Sequence, residues 1–112
     1  MNASIALQVL PMVTDREEIR RIVDEVIAYI DSTGVNYVVG AFETSMEGDL
    51  DQLMDIVKEC TKIAARAGAE NVNSYVKINF EPTGAWTIKD KTGKYDKARL
   101  EREKKLESQK KD

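Results

Sequence analysis

Histidine is absent from this 112-residue sequence, and cysteine occurs once, as Cys60. The first absence removes the side chain that most often moves protons near neutral pH, which is also the commonest metal ligand. Triads of the Ser/His or Cys/His kind are excluded with it. A lone cysteine rules out an intrachain disulfide, and nothing marks an oxidising compartment, so the cytoplasm is the expected location. Positive charge is also in short supply: 17 Lys and Arg stand against 20 Asp and Glu, a formal net charge of −3. No overall positive field draws in a nucleic-acid backbone, and nucleic acid is not an expected partner. Long apolar runs and a basic leader are missing from the first twelve residues, which read as neither a secretory signal nor a membrane span. Gly84 and Gly93 lack the spacing of a phosphate-cradling loop.

What is present is the composition of an ordinary globular protein, 42% hydrophobic and 33% charged, at a length that supports one modest core. Residues 3 to 12 alternate, with Ala3, Ile5, Leu7 and Val9 on the side of a strand that faces a core. Thr14 stands three residues before Glu17, the spacing of a capping box, and predicts a helix start. Ile19, Ile22, Val23, Val26, Ile27 and Ile30 then recur every three or four residues as one apolar stripe. Gly34 supplies a left-handed stop.

The run from Val35 to Phe42 is rich in β-branched and aromatic residues and predicts a strand, followed by a bend and a short second strand through Met46 to Gly48. No Asn-Gly or Asp-Gly pair fixes the turn, which is placed near Gly40 to Glu43. Asp49 and Gln52 resemble another capping pair. After them Leu50, Leu53, Met54, Val57, Cys60 and Ala64 form a second stripe, ended by Gly68. Residues 71 to 81 alternate again, with Val72, Ser74, Val76, Ile78 and Phe80 on one side and Asn73, Tyr75, Lys77 and Asn79 on the other. Beyond Pro82 the chain turns polar around Trp86, whose ring is expected to close the rim of the domain. A solvated tail helix is expected over residues 95 to 110.

The order is βαββαβ, an α+β arrangement in which two single-stripe helices cover one face of a four-stranded antiparallel sheet. The domain is expected to occupy residues 1–81, with a polar, partly helical extension over 82–112. Gln8, Tyr75, Lys77 and Asn79 should project from the uncovered face, joined by Leu10 and by either Val38 with Phe42 or their neighbours. A face that mixes aromatic, aliphatic and hydrogen-bonding groups suits a second subunit or an enclosed pocket, the plainer reading being a wet sheet surface.

The segment from Gly40 to Gly48 holds the densest cluster of functional groups. Glu43 and Glu47 would lie about 13 Å apart along an extended strand, too far for an acid and base pair. A carboxylate beside a hydroxyl, as in Glu43 and Thr44, is instead a receptor for a heteroaromatic ring that offers an amino group and a protonated nitrogen. The competing reading is a turn and helix entrance with solvated carboxylates. Cys60 lies within an apolar stripe and is read as core. No spacing of side chains supports a metal site.

The opening strand Ser4 to Pro11, the run Thr44-Ser45-Met46-Glu47-Gly48, the following Asp49-Leu50-Asp51-Gln52-Leu53-Met54, and Tyr75-Val76-Lys77-Ile78 together resemble the thiamine-binding protein family, over about residues 2 to 81. One departure is Glu43, where the family pattern has a glycine before the threonine. The resemblance implies a ferredoxin-like fold, homodimers or homotetramers that pair sheets between subunits, and a site for thiamine or its hydroxymethylpyrimidine part. It implies no catalysis and no cofactor. On that reading Glu43, Thr44 and Glu47 are the polar contacts, Phe42 and Tyr75 stack on the ligand, and Gln8 and Asn79 hydrogen-bond it. The alternative is a structural or regulatory homo-oligomer without a small ligand.

Overall fold

The computed structural model describes residues 1–110. Strand β1 (Ala3–Pro11) leads into helix α1 (Arg16–Ser32), then β2 (Asn36–Val39), β3 (Thr44–Gly48), α2 (Leu50–Arg66), β4 (Val72–Phe80) and α3 (Ile88–Lys110). One antiparallel sheet has the order β2-β3-β1-β4, the ferredoxin-like arrangement. Ile5 pairs with Met46 on one side and with Ile78 on the other, so these three side chains share a face.

That face is the one that α1 and α2 cover. Ile5, Met46, Ile22 and Ile30, with Leu53 and Cys60 of α2, are the largest side chains buried there. Each helix contributes every third or fourth residue, which is why a single stripe suffices to dock it. Arg21 ties the two helices together, its guanidinium donating to the Ala67 carbonyl at 2.5 Å where α2 ends.

Several sequence expectations shift in register. The cap of α1 is Asp15, whose carboxylate accepts from the Glu17 amide at 2.8 Å. Thr14 lies one residue outside, and the charged oxygen of Asp15 complements the positive end of the helix better than a hydroxyl would. Asp49 does occupy the N-cap of α2 but makes no side-chain cap bond. The Asn2 side chain accepts from the Leu50 amide at 3.0 Å instead. Within α2, Met54 is 41% exposed and Ile56 takes the buried position. Gly34 has φ +81, the left-handed turn expected after α1.

The expected strand over residues 35 to 42 closes at Val39, which leaves Phe42 in the connection to β3. On β4, Val76, Ile78 and Phe80 face the helix side but remain 37%, 49% and 47% exposed, because β4 is an outer strand that α2 covers only near its start. The tail helix begins at Ile88, seven residues ahead of the expected start, and no residue of it is buried. Trp86 is 66% exposed rather than packed on a rim.

Candidate functional site

Glycine at position 40 shapes the connection between β2 and β3. Its amide donates to the Glu43 carbonyl at 2.9 Å, and a Cβ there would stand 2.8 Å from that same oxygen, an approach open only to a residue without a side chain. The resulting turn lifts Phe42 away from the sheet, 83% exposed, and returns the chain at Thr44 to pair with Leu7. Thr44 is the buried polar residue of the core region, 6% exposed.

Beside this turn a groove of about 270 Å³ opens between α1 and the ends of β1 and β3. Leu7, Val9, Val26 and Ile30 belong to its apolar lining, and Gln8, Glu43 and Thr44 bring its polar groups. The volume lies near the lower end of the range for small-molecule pockets, about 300 to 1,000 Å³, and suits a single substituted aromatic ring. Glu43 stands at the boundary between this groove and the uncovered sheet face, where its carboxylate meets the Lys77 ammonium at 3.3 Å. With the Lys77 side chain 78% exposed and that of Glu43 36% exposed, solvent screens the pair and it holds Glu43 only weakly.

Of the predicted contacts, Gln8, Phe42, Glu43 and Thr44 come together on this groove. Glu47, Tyr75 and Asn79 do not line it. Glu47, at the far end of β3, accepts from the Asn36 side chain at 2.6 Å and from the Ile88 amide at 2.5 Å. Its carboxylate therefore holds the entrance of α3. Tyr75 sits opposite Gln8 across the β1–β4 ladder and is 58% exposed. Asn79 lies opposite Ser4 and lines a separate depression beneath α3.

Sequence reasoning missed the contribution of α1. The α1 stripe does two jobs: Ile22, Val26 and Ile30 are buried, and Ile19, Val23 and Ile27, together with Val26 and Ile30, line the groove. A stripe wider than one helix needs for docking was the available signal. Cys60 is 0% exposed, and burial pushes its thiol up to about 12, the behaviour of a core residue and not of a nucleophile.

Comparison with known proteins extends this picture. A family model for thiamine-binding proteins matches residues 5–96. The chain belongs to the thiamine-binding protein family. A UPF0045 protein of Clostridium perfringens is 46% identical over 92 residues, 82% of this chain and 95% of the relative. Among solved structures, a protein of Streptococcus pneumoniae is 42% identical with a TM-score of 0.69, covering 86% of this chain and 99% of the other. A protein of Thermotoga maritima provisionally named for thiamine biosynthesis or salvage superposes with a TM-score of 0.76 at 28% identity, covering 85% and 99%. The family match ends at residue 96, inside α3, so the rest of that helix extends beyond it.

Proposed function

We propose that this member of the thiamine-binding family holds thiamine or its hydroxymethylpyrimidine portion in the groove beside α1, as a cytoplasmic carrier, buffer or sensor and not as an enzyme. The observation that carries this reading is the junction of an apolar groove with Phe42, Glu43 and Thr44 at one end. Thiamine is a cation with an aminopyrimidine ring. An exposed phenyl ring offers it stacking, and a carboxylate next to a hydroxyl offers an acceptor for the amino group and an opposite charge. A sequence without histidine also lacks the usual group for proton transfer.

Titration calorimetry with thiamine and with hydroxymethylpyrimidine tests the proposal. Saturable heat is expected with at least one of them, and Glu43→Gln is expected to weaken it by about 1 to 3 kcal/mol if the carboxylate makes a charge-assisted bond. Lys77→Gln should act in the opposite direction, because it frees Glu43 from its 3.3 Å partner. Absence of heat with both compounds, from a folded protein, would favour a structural or regulatory oligomer.

A specific feature supports self-association alongside ligand binding. Val76, Ile78 and Phe80 lie half-exposed on β4, whose outer edge is unpaired, and such an edge invites another strand. We propose a homodimer or homotetramer. Sedimentation of the purified protein as a monomer would remove that part of the reading and leave the groove intact.

A further inference from the structure

The uncovered face of the sheet is closed at one end by the first turn of α3. Thr87 and Asp90 exchange bonds at its entrance, the Thr87 amide donating to the Asp90 carboxylate at 3.1 Å and the Asp90 amide donating to the Thr87 hydroxyl at 3.0 Å. The Ile88 amide donates to Glu47, and the Lys91 ammonium donates to the Ser4 hydroxyl at 3.3 Å. Two contacts thus set this turn over β3 and β1, and the Thr87–Asp90 exchange caps it from within.

Beneath it lies a depression of about 260 Å³ whose polar lining consists of Ser4, Ser45, Lys77, Asn79, Lys91 and Thr92. No carboxylate lines it. Of the two lysines that line it, Lys91 has no ion-pair partner among the described residues, while Lys77 keeps an exposed, solvent-screened pair with Glu43 at 3.3 Å. Of the acids around it, Glu47 has its oxygens turned to Asn36 and to the Ile88 amide, Glu43 meets Lys77 from outside the lining, and Asp96 accepts from the Thr92 hydroxyl at 3.0 Å. Lys91 uses one of its three protons on Ser4, and the Ser45 and Asn79 side chains bond no other described residue. Donors without acceptors, flanked by cationic groups, are what an oxyanion requires.

We infer that this depression is an oxyanion site, taking inorganic phosphate or the phosphate of a small phosphate ester between Lys77 and Lys91, with Ser45 and Asn79 donating. Lysine serves as a point charge toward phosphate and needs no fork geometry. The site lies outside the apolar groove, and the inference stands whether or not thiamine binds there.

Backbone-amide NMR of the full chain in chloride buffer, titrated with inorganic phosphate and separately with glycerol 3-phosphate, tests it. Saturable shifts centred on Ser4, Ser45, Asn79 and Lys91 are expected, half-complete at about 1 mM, and absent when sodium chloride is added to the same ionic strength. Lys91→Gln should weaken the binding roughly tenfold, the scale of one charge-assisted bond. Ser45→Ala, which leaves every bond of α3 in place, should weaken it severalfold. Tighter binding of the ester identifies an organic phosphate as the ligand, and tighter binding of the ion identifies free phosphate. Shifts that stay linear to about 20 mM, that spread over all lysines, or that are unchanged in both variants would overturn the inference.

Discussion

On the helix side of the sheet Ala3, Ile5, Leu7 and Met46 are buried to 3% or less, whereas the residues between them, Ser4, Ala6 and Ser45, stay partly open. The same strands supply both sets, because successive side chains point to opposite faces. One face is covered by α1 and α2, with the groove open at the end beside α1. Among the described residues the other face meets the start of α3, a helix of 23 residues with none buried. Apolar surface withdrawn from water stabilises the first face by roughly 25 cal/mol per Å², while the second leaves the polar groups beside α3 open. The buried core is thereby assigned to alternate residues of these strands, so a substitution on the open face need not disturb it.

The largest effect that would break this division is expected at Leu53, 0% exposed. Leu53→Ala should cost about 2 to 5 kcal/mol in urea unfolding, whereas Ser45→Ala on the opposite face should stay within about 0.5 kcal/mol. Equal losses would show that both faces are structural. Next in size is the opposed pair Glu43→Gln and Lys77→Gln, read as weaker and tighter thiamine binding with little change in melting. A shift in the same direction for both would detach Glu43 from the ligand.

The thiol of Cys60 sharpens the comparison through pH. Burial, with a smaller contribution from Glu59, raises it from its ordinary value of 9.0 to about 12 in the folded chain. The folded state therefore keeps a proton that the unfolded state releases. This contribution is fully present below pH 9.0 and is lost as the pH rises toward about 12. The melting temperature should fall more steeply over that window than in Cys60→Ala, and parallel curves would mean that the thiol reaches solvent.

Smaller effects belong to α3. Glu47→Gln should loosen the bond to the Ile88 amide and speed hydrogen exchange in the first turn of α3, by the equivalent of about 0.3 to 1 kcal/mol, while global melting stays unchanged. Leu106, 58% exposed, should tolerate alanine within about 0.5 kcal/mol. A larger loss would reveal that α3 is packed against something in solution.

Periodicity made much of this legible in advance. The stripes of α1 and α2 and the alternation of β1 and β4 are local patterns, as are the glycine stops at Gly34 and Gly68. The start of α3 was missed because the Thr87 and Asp90 capping pair opens no apolar stripe that would announce a helix. No Asn-Gly or Asp-Gly pair fixes the turn near Gly40 to Glu43, and the closeness of Gly40 to the Glu43 carbonyl is visible only in space. Phe42, Glu43 and Thr44 were singled out as a cluster by adjacency in the chain, and adjacency survives folding. Glu47 belongs to the same run of chain but lies at the far end of β3, and Tyr75 and Asn79 share only the open face, which at four strands wide holds more than one site.

The sequence by itself determined which side of each strand is apolar, how many helices carry a docking stripe, and where glycine interrupts them, because each depends on residues a few positions apart. Only the tertiary structure decided that α1 leaves a groove against the sheet and that α3 closes one end of the opposite face. Both outcomes turn on contacts between residues distant in the chain. Glu47 and Ile88, 41 positions apart, meet through one hydrogen bond, and no period in the sequence encodes a single long-range contact.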